Sequence, residues 1–319
     1  MEIRALETFL VAAERGNLTL AAQELGLTQS GLSRQIQRLE RALGVMLFDR
    51  MPAGLCLTPA GQRCRAYARE AVARHRHFLA ELGDGDAPLT GELRIAASTT
   101  PAEFVVPRLV VAFTARHPEV RVVVLTSDSA GVAEELLDGR WDIGFAGARL
   151  DQGRLRYDPV VEDEIVLAVP AHHPLAGRRE VALEALADQR FVEREGGSGT
   201  AQSLRAALVA RGLVMPSHRV SMTLTTTQAI VSAVRAGYGI GFVSSLALAE
   251  QPDERVVAVR LAGIPLRRQL YLVRDGRHPL LPMARHFVEF ALEIAPLLQA
   301  QLGKLGEHRP LTDGGVGSR

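Results

Sequence analysis

The most restrictive feature of this sequence is a pair of short helical patterns, separated by a tight turn, near its start. Thr19 is placed to cap a helix over 20–25, and Gly26 then makes a turn. A second helical pattern follows over 28–43, and its apolar residues recur every three or four positions. These apolar residues are Leu32, Ile36, Leu39 and Leu43. A short helix, a glycine turn and a second amphipathic helix predict a helix-turn-helix.

The polar face of the second helix carries side chains that can recognise DNA bases. Gln and Arg form bidentate hydrogen bonds to the major-groove edges of adenine and guanine. A solvated surface helix would have the same face, so this helix alone leaves the two interpretations evenly balanced. The candidate DNA-binding residues of this helix and of the segment after it are Thr28, Gln29, Ser30, Ser33, Arg34, Gln37, Arg38 and Arg50.

Residues 44–61 predict two short strands joined by a loop, an arrangement typical of a wing beside a helix-turn-helix. Apolar residues flank the turn at 50–54: Val45, Leu47 and Phe48 before it, and Leu55 and Leu57 after it. Arg50, near the tip, is placed to contact a phosphate or the minor groove. A structural salt bridge is an alternative role for this residue.

The distribution of charge supports a nucleic-acid partner, although the net charge does not. The chain has 37 Lys+Arg and 36 Asp+Glu, a net charge of +1. Residues 28–76 nevertheless hold nine Arg and three acidic residues, a local charge of +6. Phosphate contacts depend on local positive charge, so this stretch favours DNA binding.

A long helix is predicted after the wing, because Thr58 is a good N-cap and Pro59 is favoured at the first helical position. Its apolar residues have heptad spacing: Cys64, Ala68, Ala71, His75, Phe78 and Leu82. A helix with such a seam needs a partner. We expect a second copy of the chain, in a homodimer, and packing on its own domain is the alternative.

The segment GDGDAPLTG (83–91) is rich in helix breakers, and from Glu92 strand and helix patterns alternate. The first predicted strands are 91–98, 120–127 and 141–147, with helices at 101–116 and 130–138 between them. This βαβαβ order predicts a parallel sheet in an α/β fold. A second set starts at 165–170, after an acidic run (162–164) typical of a solvated surface. A late strand at 267–274 and a helix at 280–298 suggest a return to the first lobe.

The segment NLTLAAQELGLTQSGLSRQIQRLERALGVMLFDR (17–50), followed by LTPAG (57–61), resembles the signature of LysR-type transcriptional regulators. The match includes Ala21-Ala22, Leu25, Gln29-Ser30, Leu32-Ser33, the Ile36/Leu39/Leu43-Gly44 stripe, Leu47-Phe48 and Arg50. Two departures are Gly31, where many relatives carry Pro, and a wing at 51–54 that is less rich in Arg and Gly than usual.

The resemblance covers about residues 1–300 and implies an α/β chain with three parts. They are a winged helix-turn-helix at 1–57, a dimerising linker helix at 58–83 and, after a hinge at 84–91, a two-lobed module at 92–300. The module resembles the periplasmic binding proteins and holds an effector between its α/β lobes. We expect a disordered tail at 301–319, which is polar and rich in glycine.

The resemblance also implies a function and partners. Family members bind double-stranded promoter DNA, usually as homotetramers, and a small-molecule inducer changes how they bend it. RNA polymerase is a further candidate partner. The segment FVEREGGSGT (191–200) resembles a subgroup that regulates carbon fixation or sulfur assimilation.

Three predicted strand ends are rich in hydroxyl groups and glycine, and each precedes a helix. Ligands of α/β sheets bind beyond the carboxyl ends of strands, and helix N-termini favour anions. Each Ser or Thr alone is better explained as a helix cap, but together they favour a small anionic effector. The candidate effector-binding residues are Ser98, Thr99, Thr100, Ser127, Ser198, Gly199, Thr200 and Thr226. Family members usually contact effectors at the positions of Ser98, Thr100 and Thr200.

An enzyme is disfavoured. The glycine-rich segment 237–241 lies between a predicted helix and a predicted strand, the reverse of a dinucleotide fingerprint. His172 and His173 have no clustered third ligand, and Cys56 and Cys64 lack zinc-site spacing. We expect no catalytic residue, no cofactor and no metal.

A solute-binding protein fused to a helical domain is the remaining alternative. The first 15 residues carry acidic side chains where a signal peptide would be apolar. No apolar run approaches the roughly 18 residues of a membrane span. We therefore expect a cytoplasmic protein with no membrane partner.

Overall fold

The computed structural model describes residues 2–51, 54–82, 89–150, 153–250, 252–277 and 279–307. The chain divides into an N-terminal unit, which ends before residue 88, and a larger unit built mainly from the rest.

The N-terminal unit consists of helices around a small hairpin. Its elements are α1 (Ile3–Arg15), α2 (Leu18–Glu24), α3 (Gln29–Leu43), β1 (Phe48–Met51), β2 (Gly54–Leu57) and α4 (Pro59–Leu82). Strands β1 and β2 are antiparallel, with Phe48 opposite Leu57. The apolar stripe of α3 is buried at Leu32, Ile36 and Leu39. The predicted helix-turn-helix and wing are therefore confirmed.

Local capping differs from the prediction at one helix. The N-cap of α2 is Asn17, whose side-chain oxygen accepts hydrogen bonds from the backbone N–H groups of Thr19 (2.8 Å) and Leu20 (3.2 Å). The prediction that Thr19 caps a helix starting at residue 20 is wrong, because Asn17 can satisfy two free N–H groups at the earlier start.

Helix α4 begins as predicted, with the Thr58 hydroxyl accepting from the backbone N–H of Gly61 at 2.9 Å. The first half of its seam packs into the N-terminal unit: Ala68 is fully buried there, and Cys64 and Ala71 pack against the same core. Phe78, further along, is 54% exposed. The alternative of packing on its own domain is thus correct for the first half of the seam.

The larger unit is an α/β fold. Its first elements are β3 (Gly91–Ser98), α5 (Thr99–Phe104), α6 (Val106–Arg116), β4 (Val120–Ser127), α7 (Ser129–Leu137), β5 (Ile143–Ala146), β6 (Leu155–Pro170) and β7 (Glu180–Val181). A 3₁₀ turn (Leu183–Leu186), β8 (Arg190–Arg194), α8 (Gly199–Val209), β9 (Arg219–Leu224), α9 (Thr227–Arg235) and β10 (Gly241–Ser244) follow. The last elements are α10 (Ser245–Glu250), β11 (Val256–Leu261), β12 (Arg267–Asp275) and α11 (Pro282–Glu307).

The main sheet joins two lobes in the order β4-β3-β5-β12-β6-β11-β7, with β10 also paired to β6. Strands β3, β4 and β5 are parallel, as predicted. The first part of β6 pairs with β12 in the first lobe, and residues 165–170 pair with β10 and β11 in the second. Phe287 of α11 packs on Phe113 and Phe145 of the first lobe, so the chain returns there as predicted.

Three boundaries in this unit depart from the predictions. The helix expected at 101–116 is broken at Val105, because Pro107 has no N–H to continue it. Strand β6 starts at Leu155 instead of 165, and the acidic run lies inside it. Helix α11 continues to Glu307, so 301–307 belong to a helix and not to a disordered tail. Residues 308–319 lie outside the described residues, as do most of the hinge residues.

Candidate DNA-binding face and effector cleft

Helix α3 presents its N-terminal turns to solvent. Its N-cap is Thr28, whose hydroxyl accepts from the backbone N–H of Gly31 at 3.1 Å. Arg34 lies one turn along, with its Nε donating to the Ser30 carbonyl at 3.3 Å. Because the opposite stripe is buried in the core, this face is available to an outside partner.

The structure brings seven of the eight candidate DNA-binding residues to one helix or its cap. Thr28, Gln29, Ser30, Arg34, Gln37 and Arg38 are exposed, and Ser33 is half-buried. Arg50 lies on β1, and its side chain is outside the described part of the chain. The face has the donors and acceptors that base recognition needs.

A residue that the sequence interpretation missed joins α3 to the wing. Glu40 is 7% exposed, and its Oε1 accepts hydrogen bonds from the backbone N–H groups of Leu47 (2.7 Å) and Phe48 (3.3 Å). These bonds fix the start of the hairpin relative to α3. A charge in an otherwise polar helical pattern gives no signal of burial.

In the larger unit, two of the predicted hydroxyl clusters lie at the junction of the lobes. Ser98 ends β3, and Thr99 and Thr100 begin α5; all three are buried. Ser198 is the N-cap of α8, and Gly199 and Thr200 begin that helix; they are buried too. The Ser98 hydroxyl accepts from the backbone N–H of Gly147, at the end of β5, at 3.0 Å.

Arg268 of β12 connects these two clusters. Its Nη2 donates to the Thr100 hydroxyl and its Nη1 to the Thr200 hydroxyl, both at 3.1 Å. Its Nε donates to Asp163 Oδ2 at 2.8 Å, and Asp163 lies directly opposite on β6. One guanidinium therefore bridges both lobes.

The partner of Arg268 is buried as well. Asp163 is 2% exposed, and its other oxygen, Oδ1, accepts from the Ser244 hydroxyl at 2.6 Å. The interpretation of 162–164 as a solvated run is therefore wrong at Asp163. Its neighbours Glu162 and Glu164 form ion pairs with Arg267 and Arg260 nearer the surface.

A third helix N-terminus adds a hydroxyl that the sequence interpretation did not include. Ser129, the first residue of α7, is 1% exposed, and its hydroxyl has no hydrogen-bond partner among the described residues. The same holds for the Ser198 hydroxyl. A Cβ added to Gly199 would lie 2.8 Å from both Ser129 Oγ and the Gly147 carbonyl carbon, so only glycine allows this close approach of the lobes.

The two remaining predicted effector residues lie outside this junction network. The Thr226 hydroxyl caps α9 by accepting from the backbone N–H of Ala229 at 3.1 Å. Ser127 is half-buried at the end of β4, with its hydroxyl against Gly131. Capping was the alternative role for each such residue.

A cavity of about 500 Å³ opens beside the network. It shares Gly147 and Arg268 with the network and extends along the first turns of α8 and along β12. This volume is within the usual range of about 300–1,000 Å³ for small-molecule sites.

A second group of charges spans the lobes. Glu103 of α5 lies near Arg194 and Glu250, and Arg108 forms an ion pair with Glu250 at 3.0 Å. Burial raises the pKa of the Glu103 carboxyl to about 7; the Arg194 guanidinium opposes this rise and Glu250 adds to it. Glu103 therefore changes charge near neutral pH.

Searches of the described residues found no cluster of three or more His, Cys, Asp or Glu able to hold a metal. Over the same ranges, no helix is both long enough and apolar enough to cross a bilayer.

Comparisons with known proteins agree with this architecture. Residues 3–62 match the family model described as bacterial regulatory helix-turn-helix protein, lysR family, and residues 86–296 match the LysR substrate binding domain. The RuBisCO operon transcriptional regulator of Allochromatium vinosum is 32% identical over 304 residues, covering 95% of this chain and 99% of the relative.

Two solved structures are similar in fold. A full-length OxyR variant from Pseudomonas aeruginosa has a TM-score of 0.75 at 18% identity, covering 93% of this chain and 95% of that one. The regulatory domain of CcmR from Synechocystis PCC6803, in complex with 2-PG, has a TM-score of 0.59 at 24% identity, covering 65% and 98%.

Fold and comparisons together define a DNA-binding protein with an effector-binding domain. The chain belongs to the LysR family of transcriptional regulators, which are not enzymes.

Proposed function

We propose that this regulator binds promoter DNA sequence-specifically through α3 and that a small anion, bound between the two lobes, modulates this binding. The observation that carries the effector part is the set of buried hydroxyl groups that both lobes direct to one junction. The candidate site residues remain those of the two predicted sets, with Ser129, Gly147, Asp163 and Arg268 added.

The DNA-binding part rests on the exposed face of α3. Gln29 and Arg34 lie on its first turns, where a recognition helix meets base edges. The hairpin of β1 and β2 follows this helix in the chain, and the local charge of +6 adds attraction to phosphates.

The effector part rests on charge and hydrogen bonding at the junction. Helix α8 has 11 residues, so its free N–H groups carry a partial positive charge. The unpartnered Ser129 and Ser198 hydroxyls can donate to an acceptor on the ligand. Leaving such donors buried and unpaired costs about 1–3 kcal/mol each, which favours a bound acceptor.

Self-association is part of the proposal, as a homodimer through α4 and a homotetramer through the larger unit. Tyr67, Phe78 and Leu79 of α4 are more than half exposed. In the larger unit, Val111 on α6 and Val220 on β9 are 70% and 51% exposed. Sedimentation equilibrium of the full chain tests this, and a monomer at micromolar concentration would contradict it. A cytoplasmic location and contact with RNA polymerase stay predictions.

Gel shifts with the DNA upstream of its own gene test the DNA-binding part. We expect Arg34→Ala to weaken sequence-specific binding by roughly 10- to 100-fold, the cost of one bidentate base contact. Arg41→Ala is the matched control, because Arg41 is an exposed arginine near the C-terminal end of the same helix. Equal effects of the two substitutions would mean that Arg34 acts by charge alone.

A thermal-shift screen of small anions against the full chain tests the effector part. We expect at least one oxyanion to raise the melting temperature of the larger unit, by preferential binding to the folded state. Stabilisation by neutral or cationic compounds only would contradict the proposal.

A further inference from the structure

We propose that Arg268 sets the ligand class of the cleft by orienting Thr100 and Thr200 as hydrogen-bond donors, so that the cleft selects a small oxyanion that also bears hydroxyl groups. A phosphate ester of a polyol is the chemical class that fits. This inference rests on the proposed effector function and adds a positioning residue and a ligand chemistry to it.

The direction of the hydrogen bonds carries the first step. An arginine has only donors, so the Thr100 and Thr200 oxygens both accept from Arg268. Each threonine hydroxyl has one proton, and neither proton has an acceptor among the residues that the structure describes. Both protons are therefore free to be donated to a ligand.

Three further hydroxyl groups at the junction are in the same condition. Ser98 accepts from Gly147 and donates to no described residue, and Ser129 and Ser198 have no partner in this part of the chain. All five side chains are less than 5% exposed. A ligand that enters between the lobes thus meets donors from both sides, which an oxyanion satisfies and a neutral donor does not.

Arg268 is held too firmly to serve as a mobile counter-ion. Its side chain is 5% exposed, and Asp163 neutralises it through Nε and Nη2. Asp163 is in turn fixed by the Ser244 hydroxyl, which accepts from the backbone N–H of Leu246 at 3.2 Å. The guanidinium therefore acts through the two threonines, as a positioning residue.

The lining of the adjacent cavity defines the rest of the ligand. Gln202 and Ser203 of α8 and Arg267 and Gln269 of β12 present polar groups to it. Its apolar lining is small, mainly Ala148 and Ala206 besides the ring of Tyr271. An aromatic ring or alkyl chain would gain little from such walls, whereas hydroxyl groups would find hydrogen-bond partners.

Isothermal calorimetry on the full-length protein tests the inference, with glycerol 3-phosphate, inorganic phosphate, benzoate and glycerol as probes. We expect wild type to bind glycerol 3-phosphate more tightly than benzoate or glycerol. The double variant Asp163→Asn/Arg268→Gln removes the guanidinium without leaving a buried charge unpaired. We expect it to bind glycerol 3-phosphate roughly 10- to 100-fold more weakly.

The matched control is Asp158→Asn/Arg274→Gln, because this pair joins the same two strands at 3.0 Å but lies nearer the surface. It should keep wild-type affinity. Arg268→Lys, checked for folding by circular dichroism, keeps the charge but cannot reach both threonines in one planar fork, so it should lose affinity like the double variant. This loss separates positioning from charge, and it also tests the inference if the double variant does not fold.

The possible outcomes separate the two proposals. Unchanged affinity in Arg268→Lys or in the double variant would overturn the role of Arg268 and leave the anionic effector in place. Tighter binding of benzoate than of glycerol 3-phosphate would overturn the ligand class. If wild type binds neither phosphate probe and the thermal-shift screen finds no stabilising oxyanion, the proposed effector function fails, and this inference with it.

Discussion

Replacing Thr200 by Val removes one hydroxyl group and keeps the shape of the side chain. Arg268 Nη1 then loses its acceptor at 3.1 Å, at a site where Thr200 is 3% and Arg268 8% exposed. A hydrogen bond to a charged group contributes about 1.5–3 kcal/mol, so we expect the free energy of unfolding to fall by that amount without any ligand. Thr100→Val should have a similar effect through Nη2.

Urea denaturation followed by tryptophan fluorescence measures this loss. Trp141 is the single Trp of the sequence and lies in the larger unit, so its emission reports on that unit. Thr114→Val is the matched control, because the Thr114 hydroxyl donates to the Val110 carbonyl at 2.8 Å and has no charged partner. We expect the control to lose only about 1 kcal/mol.

The double variant Thr100→Val/Thr200→Val gives a second measure. Both hydroxyls contact one guanidinium, so the two losses should not be additive. The argument is refuted if neither single substitution costs more than Thr114→Val, because the bridge between the lobes would then contribute no stability. Loss of stability without loss of anion affinity would show that the hydroxyls hold the lobes together but do not bind the effector.

Three further predictions concern other parts of the chain. Gly199→Ala places a Cβ 2.8 Å from Ser129 Oγ, so it should hold the lobes apart and weaken phosphate binding in calorimetry; unaltered affinity would contradict this. Glu103 has a raised pKa of about 7, so its contribution to stability is present at low pH and lost as pH rises to neutrality. Glu103→Gln should therefore reduce the fall in melting temperature between about pH 5 and pH 8, and an identical fall would exclude this role. Glu40→Ala leaves the Leu47 and Phe48 amides unpaired and should lower the stability of the N-terminal unit by about 1–3 kcal/mol for each amide in circular-dichroism melts, whereas an unchanged melt would refute the capping role.

The elements that could be predicted are those with a local signal. The stripe of α3, the glycine after its last turn and the Thr58-Pro59 start of α4 each follow from residues a few positions apart. The heptad seam of α4 could not reveal its partner, because Ala68 has the same spacing whether it meets a second copy or its own domain. The structure buries it in its own domain.

The hydroxyl clusters of the cleft were found because helix starts carry a local signature. Arg268 and Asp163 were not, because their contact depends on the register between β12 and β6, more than 100 residues apart in the chain. An acidic run and an arginine pair resemble surface residues until a neighbouring strand covers them. Ser129 was missed for a similar reason, since its burial depends on the second lobe coming close to α7 at Gly199.

The central claim is that an oxyanion in the cleft changes how α3 engages promoter DNA. Fluorescence anisotropy, with labelled DNA from upstream of its own gene, measures this directly for the full chain with and without an oxyanion from the thermal-shift screen. We predict a change in specific DNA affinity that disappears in Thr100→Val/Thr200→Val, while the DNA affinity of that variant without anion stays at the wild-type value. An anion that binds the protein but leaves specific DNA affinity and DNA bending unchanged would contradict the claim.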